Sequence, residues 1–105
     1  MTDALVVLVT TPSPERAAEI ARAVVEERLA ACGNVVPGLR SIYRWEGKVH
    51  DDAEALLVLK TTRARFEALR DRVFALHPYE VPEVIALPVE AGSARYLAWL
   101  ATETG

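Results

Sequence analysis

The side chains best able to bind a metal or assist a reaction are concentrated in the segment HPYEVPEVIALP, residues 77–88. His77 is one of two histidines in the chain, and Glu80 and Glu83 follow it closely. Imidazole nitrogen suits copper and zinc, whereas carboxylate oxygen suits harder divalent cations. A structural zinc site takes four protein ligands and a catalytic one takes three. His77 and Glu83 are therefore candidate metal ligands that need further donors, and a neighbouring subunit could supply them.

The same segment also has a purely structural interpretation. Pro78 follows a predicted helix, and the residue before a proline is disfavoured in the helical conformation. The His77 ring would then bond the last helical carbonyls and interact with the negative end of the helix dipole. Pro82 and Pro88 lack a backbone donor, which an edge strand tolerates. The two interpretations of His77 stay open on the sequence.

Cys32 and the cluster HDD at residues 50–52 are weaker candidates. Cys32 is the single cysteine, so no disulfide forms within one chain and a reducing compartment is expected. It is either a third metal ligand or a small buried hydrophobe. The HDD cluster comes just after a predicted turn and is interpreted as a solvated loop that blunts an exposed edge.

A second predicted site is a cleft for a small ligand. Its members are Tyr43, Trp45, Glu54, Lys60 and Tyr79. Lys60 ends an apolar strand, where it could bind an anionic ligand or form an interface salt bridge. Trp45 and Tyr79 would stack on a ligand or anchor a subunit interface.

The hydrophobic pattern predicts the elements that position these residues. Residues 4–9, ALVVLV, form a strand, and a helix capped by Ser13 runs to about residue 29 or 30. CGNVVPG is a turn-rich segment, after which a hairpin folds back at the EGK turn around Gly47. A second helix follows up to Pro78. A strand over residues 82–89 and a short helix opened by Gly92 and Ser93 complete the chain.

This order predicts an α+β fold, the ferredoxin-like βαββαβ arrangement with a short C-terminal helix, in a single domain of residues 1–105. Both main helices of such a unit pack on one face of the sheet. The strands LVVLV and LLVL are apolar at every position, so the opposite face is also apolar. Monomers seldom expose a patch of that size, and we expect further subunits, rather than the short terminal helix alone, to cover it.

Quoted in chain order, LAAC, SIYRWEGK, LLVLKTT, HPYEVPE, VIALP and YLAWL resemble the CutA family of divalent-cation tolerance proteins over residues 5–100. The resemblance implies a cytoplasmic homotrimer assembled by strand pairing, linked to copper and divalent-cation tolerance, with no established reaction. Copper binding in that family is associated with a first-strand cysteine and histidines at the HP motif. Here Val9 or a neighbour replaces the cysteine, and Leu76 precedes the single His77.

Composition and motifs limit the alternatives. A net charge of −3 disfavours nucleic acid and anionic membranes as partners. No nucleophile triad or glycine-rich phosphate loop is present, and the chain is expected not to be an enzyme. No cofactor is required, although copper(II) or another divalent cation is expected to bind weakly between subunits. The alternative is a small-molecule or anion sensor similar to the PII signalling trimers, but the short EGKVHDD segment lacks their long loop.

Overall fold

The computed structural model of the chain describes residues 2–105. Its strands are β1 (Ala4–Thr11), β2 (Cys32–Trp45), β3 (Lys48–Thr62) and β4 (Ile85–Pro88). Its helices are α1 (Pro14–Glu26), α2 (Phe66–Leu76), which a single 3₁₀ turn (Arg63–Arg65) precedes, and α3 (Ala94–Glu103). The strands form one antiparallel sheet in the order β2-β3-β1-β4. The predicted α+β, ferredoxin-like order of elements is confirmed.

Helix α1 begins as the sequence predicts and ends earlier. The Ser13 side chain accepts a hydrogen bond from the Arg16 backbone N–H at 3.2 Å, and Pro14 occupies the first turn. The predicted end near residue 29 or 30 is wrong because Arg28 takes a left-handed conformation with φ 61°. The N–H groups of Leu29 and Ala30 then fold back to Val24 O, which closes the helix.

The interpretation of CGNVVPG as a turn-rich segment before the hairpin is wrong, because this segment begins β2. Cys32 to Val36 pair with β3, and the register shifts between Val36 and Leu39. Gly38 lies in this bulge with φ 82°. Since β2 is the outer strand of the sheet, proline at position 37 removes no essential ladder bond.

Strand β4 is shorter than the predicted residues 82–89. Only Ile85 to Pro88 pair with β1. Pro82 has no N–H to donate, and the residues before Ile85 form the connection from α2 rather than a strand. β4 is the other outer strand of the sheet, as predicted for this proline-containing segment.

The β2–β3 hairpin extends well beyond the rest of the sheet. β1 pairs with β3 only over residues 55–62, so residues 39–54 form a two-stranded arm. Its turn has two residues, Glu46 with φ 51° and Gly47 with φ 78°, between the paired Trp45 and Lys48. Two successive positive φ values are typical of a type I′ turn, which matches the strand twist. The predicted turn at Gly47 is confirmed.

The main core lies between the sheet and the helices α1 and α2. Alternate side chains of β1 and β3 are fully buried against both helices, among them Val7, Val9, Leu57 and Leu59. These strands lie in the centre of the sheet, which explains why they read as nearly continuous apolar runs.

The opposite face of the sheet, here called the open face, is also apolar. It is formed by Val6, Leu8, Val36, Leu56, Val58, Ile85 and Leu87. Helix α3 reaches only one end of the sheet, where Leu97 and Leu100 pack with Ala4 and Ala31. Ile85 and Leu87 on β4 remain 50% exposed. The terminal helix therefore covers part of the open face and leaves the rest without a partner in one chain.

Replacing Gly33 by alanine tests the close packing of β2 against α1. An added Cβ would stand 2.8 Å from Ala21 Cβ and 3.2 Å from Leu59 Cδ2. We expect Gly33→Ala to lower the free energy of unfolding by about 1–3 kcal/mol because the helix must shift outward. Gly92→Ala, whose Cβ would meet Leu97 at an ordinary 3.5 Å, is the control. Urea unfolding at equal protein concentration measures both, and equal stabilities would contradict the packing argument.

Candidate functional site

A groove of about 690 Å³ lies where the hairpin arm leaves the sheet. The end of β1, both strands of the arm and the connection from α2 to β4 form its walls. The lining residues are Thr10, Ser41, Ile42, Tyr43, Trp45, Glu54, Pro78, Tyr79, Glu80, Val81 and Glu83. Glu54 and Thr10 belong to the same alternating rows as the open face, so the groove adjoins that face. Its volume is in the range of small-molecule sites.

The groove is shaped by His77, which follows the last residue of α2. Its imidazole Nδ1 lies 3.1 Å from the Tyr79 backbone nitrogen, and Nε2 lies 2.7 Å from Thr10 O. A backbone N–H can only donate, so Nδ1 is the acceptor and Nε2–H donates to Thr10. His77 as a whole is 8% exposed. Both nitrogens are thus engaged in holding the connection against β1.

Tyr79 extends this arrangement into the groove. Its hydroxyl donates to Glu54 Oε2 at 2.6 Å. Burial raises the pKa of the Tyr79 phenol, and the hydrogen bond to Glu54 and the negative charge of that carboxylate raise it further. The phenol therefore keeps its proton and remains a donor at neutral pH.

Tyr43 makes the matching contact on the hairpin arm. Its hydroxyl donates to Asp52 Oδ2 at 2.5 Å, and its ring stacks on His50 with centroids 5.2 Å apart. The hydrogen bond to Asp52 raises the pKa of the Tyr43 phenol, with burial and the charges of Asp52 and Glu54 adding to the effect. Both phenols thus keep their protons and donate to carboxylates, Tyr79 to Glu54 and Tyr43 to Asp52.

The groove is both negatively charged and aromatic. Glu54, Glu80 and Glu83 contribute carboxylates, and none of the eleven described lining residues is a lysine, arginine or histidine. Tyr43 and Trp45 are 41% and 40% exposed, so their rings are open to solvent along the arm. The arrangement favours a cation, or a partly apolar ligand that carries one, over an anion.

The structure brings four of the five predicted cleft residues together and leaves one out. Tyr43, Trp45, Glu54 and Tyr79 all line the groove. Lys60 lies six residues from Glu54 along β3, about 20 Å away, and donates to the Asn34 side chain. The hypothesis of an anionic ligand relied on the positive charge of Lys60. Within one chain that charge lies outside the groove, because Lys60 is at the far end of the open face.

The predicted metal ligands also lie apart. Cys32 pairs with Lys60 in the sheet, and Lys60 pairs with Val6 of β1. His77 contacts Thr10, four residues further along β1 or about 13 Å. Glu83 lines the groove. Residues 2–105 contain no group of three or more histidine, cysteine or acidic side chains placed to hold a metal ion. Any site that uses Cys32, His77 and Glu83 together must combine residues of different subunits.

Sequence reasoning missed Thr10, Ser41 and Asp52 as parts of this site. The interpretation of the HDD cluster as a solvated loop is wrong, because the cluster belongs to β3 and Asp52 partners Tyr43. The signal that could have found it is hairpin register. A two-residue turn at Glu46 and Gly47 pairs Tyr43 with His50, which puts Asp52 diagonally beside Tyr43 on the same face.

Comparison with known proteins supplies the family. The profile described as "CutA1 divalent ion tolerance protein" matches residues 5–103. The chain belongs to the CutA1 family. A "Divalent-cation tolerance protein CutA" of Thermus thermophilus is 60% identical over 95% of this chain and 97% of its own length. A solved structure of the Thermus thermophilus protein, 59% identical, superposes with a TM-score of 0.95 over 97% of this chain and 99% of that chain.

Other CutA relatives carry names from different compartments. "Protein CutA, chloroplastic" of Arabidopsis thaliana is 51% identical over 95% of this chain, which spans only 55% of the plant protein. A structure named as the periplasmic divalent cation tolerance protein CutA of Archaeoglobus fulgidus is 35% identical, with a TM-score of 0.94 over 97% of this chain and 99% of that chain. Within residues 2–105, no helix combines the length and apolar character needed to cross a membrane.

The proton affinity of Tyr79 provides a test of the groove's electrostatics. Its folded-state pKa is raised, so the resulting stabilisation is complete below the unfolded-state pKa of about 10 and is lost as the pH rises through the folded-state value. We expect Glu54→Gln to lower the pKa of Tyr79 part of the way, since burial is unchanged. Alkaline titration of phenolate absorbance measures this, with Tyr79→Phe isolating the Tyr79 signal.

The control for this titration is Glu90→Gln, which removes an acidic charge outside the groove. It should leave the phenolate titration as in the parent protein. A Glu54→Gln variant that titrates like the parent would contradict the contact between Glu54 and Tyr79.

Proposed function

We propose that this chain acts in divalent-cation tolerance as a non-enzymatic homotrimer that binds cations weakly in clefts between subunits. Residues 1–105 would form the single domain of each protomer. The proposed compartment is the cytoplasm, where a single cysteine stays reduced. The observation that carries the cation-binding role is the groove beside the hairpin arm, which has three carboxylates and no basic side chain among its described lining residues.

The open face supports the proposed assembly. Its apolar side chains include Ile85 and Leu87, which are each half exposed. Leu56 and Val58 on β3 are also only partly buried. Burying this surface against other copies gains hydrophobic free energy that a monomer forgoes. Because the groove adjoins the open face, a subunit seated on that face would bring its own side chains to the groove rim. That geometry supports a cleft completed by two chains.

The donor atoms favour oxygen ligation. Glu80 and Glu83 present carboxylates to the groove, whereas the His77 ring nitrogens are both hydrogen-bonded within the chain. Oxygen donors suit magnesium, calcium and manganese, and copper or zinc prefers imidazole or thiolate. Copper(II) would need Cys32 or a released His77 from a neighbouring subunit. Binding is proposed to be weak because one chain does not assemble three convergent ligands in residues 2–105.

The alternative of a PII-like sensor finds no supporting observation. Such a sensor uses a long loop between the second and third strands, and here Trp45 and Lys48 are joined by a two-residue turn. An anionic ligand would also meet the carboxylates of Glu54 and Glu83 in the groove. The carboxylates suit a cation, and the short turn supplies no long loop of the kind that such a sensor uses.

The assembly is tested by placing a charge on the open face. We expect the parent to scatter light as a particle of three times the 11.5 kDa chain mass. Val58→Arg should shift this mass toward the single chain, because a buried guanidinium without a partner is costly at the interface. Val25→Arg, on the 37% exposed surface of α1, is the matched control and should leave the mass unchanged. A trimeric Val58→Arg protein, or a monomeric parent, would contradict the proposal.

Cation binding is tested by calorimetric titration of metal-stripped protein with Mn²⁺ and with Cu²⁺. We expect saturable Mn²⁺ binding that weakens by about tenfold in the double variant Glu80→Gln/Glu83→Gln, because ligand charge sets the affinity of such sites. Glu90→Gln serves as the control. A loss of Cu²⁺ binding in both His77→Gln and Cys32→Ser, with the trimer intact, would support the site predicted from Cys32, His77 and Glu83. Absence of saturable binding of either ion would contradict the cation-binding role.

A further inference from the structure

The groove has features that a divalent cation does not use. A metal ion requires convergent oxygens, but about half of the lining residues here are aromatic or apolar, with Tyr43, Trp45 and Val81 among them. The volume of about 690 Å³ is far larger than an ion and is typical of a site for a small organic molecule. A ligand that fits must therefore have an apolar body as well as a charge.

The sign of that charge follows from Glu54. Its Oε2 accepts the Tyr79 hydroxyl, and no residue in the 2–105 range donates to its Oε1. The side chain is only partly exposed, and the lining residues described here include no basic group that would neutralise it. An ammonium group could donate to Oε1 in a charge-assisted hydrogen bond without displacing Tyr79.

The aromatic residues favour the same ligand class. Trp45 and Tyr43 lie on the same face of the arm, two residues apart along β2, and the exposed fraction of each is close to two fifths. An aromatic ring face attracts a cation within about 6 Å of its centroid, and tryptophan does so best. The rings also provide stacking surface for an aryl body. Carboxylate and ring faces thus select jointly for a cationic, partly apolar molecule.

We propose that this groove is a binding site for a small organic cation, a primary ammonium on an aryl or alkyl body. The ammonium donates to Glu54 Oε1, and the apolar body packs along Tyr43 and Trp45. Tyr79 is a positioning residue, because its hydroxyl holds Glu54 in place. The proposal goes beyond the proposed role in divalent-cation tolerance, because the organic cation occupies the same groove but needs no metal ion.

The test uses the full chain with a chelator present, so that bound metal contributes nothing. The probe is phenethylammonium, followed by calorimetry and by the chemical shifts of the tryptophan side-chain N–H groups. Phenethyl alcohol has nearly the same shape without the charge, and phenylacetate carries the opposite charge. We expect saturable binding of the ammonium, and binding of the alcohol and the acid that is at least about tenfold weaker.

Two variants locate the site. Glu54→Gln keeps an acceptor for Tyr79 and removes the charge, and should weaken phenethylammonium binding by about tenfold. Trp45→Leu lies on the exposed arm and should weaken binding several-fold through the lost ring face. Glu90→Gln, outside the groove, is the control and should bind like the parent, while circular dichroism checks that each variant folds.

Three results would overturn the proposal. Equal binding of the ammonium and the alcohol overturns the proposal, because charge then plays no part. Binding that both groove variants leave unchanged also overturns it, since the ligand then occupies another place. An absence of saturable phenethylammonium binding overturns it as well, whatever the result of the Mn²⁺ titration. That titration and the particle mass are separate measurements, so failure of the proposed cation-tolerance role would be recognised independently.

Discussion

The geometry of the groove depends on the His77 imidazole, which joins three parts of the chain through two opposed hydrogen bonds. Nε2–H donates to Thr10 O on β1, and Nδ1 accepts the N–H of Tyr79. Tyr79 in turn donates its hydroxyl to Glu54 on the hairpin arm. Residues His77 and Tyr79 thus connect the end of α2, the end of β1 and the base of the arm, and the two hydrogen bonds at the imidazole polarise each other because they share one ring. With both nitrogens hydrogen-bonded, the ring has no free lone pair for a metal ion. His77, the most obvious metal ligand in the sequence, therefore has the structural role of a joint within one chain.

Strand β3 links this joint to the apolar surface of the sheet. One row of its side chains, including Leu57 and Leu59, fills the core against the helices. The other row runs from Lys60 through Val58 and Leu56 to Glu54, apolar in the middle and charged at both ends. Whatever covers the apolar middle will therefore have the groove at one rim and Lys60 at the other. One alternating row of β3 therefore carries both the apolar surface and the groove carboxylate, and the separation of Glu54 from Lys60 follows from strand rise alone.

Sequence reasoning succeeded where local signals and global packing agree. Hydrophobic periodicity, the Ser13 cap, the stop at Pro78 and the Gly47 turn gave the element order and with it the fold. It failed where a residue that usually interrupts a strand is accommodated by the sheet. Gly38 is the example, because its positive φ fits a bulge in an edge strand. For the candidate site, the sequence likewise predicted some of the residues that lie together and not others. Residues that share a strand face could be grouped into most of the cleft from the alternating pattern. The distance between Lys60 and Glu54 could be predicted only with the strand length and register. The hydrogen bonds to both His77 nitrogens depend on contacts that only the three-dimensional structure shows.

The two kinds of cation considered for the groove are governed by different costs of desolvation. A divalent ion holds its water strongly and leaves it only for several well-placed oxygens, and residues 2–105 of one chain contain no group of three such ligands. An ammonium on an apolar body loses less on leaving water, and the ring faces of Tyr43 and Trp45 replace part of its hydration. The two ions would nevertheless neutralise carboxylates of the same groove. Since like charges in one groove repel, occupancy by a divalent ion at the Glu80 and Glu83 rim should weaken an organic cation at Glu54, and the reciprocal effect must be equal in free energy.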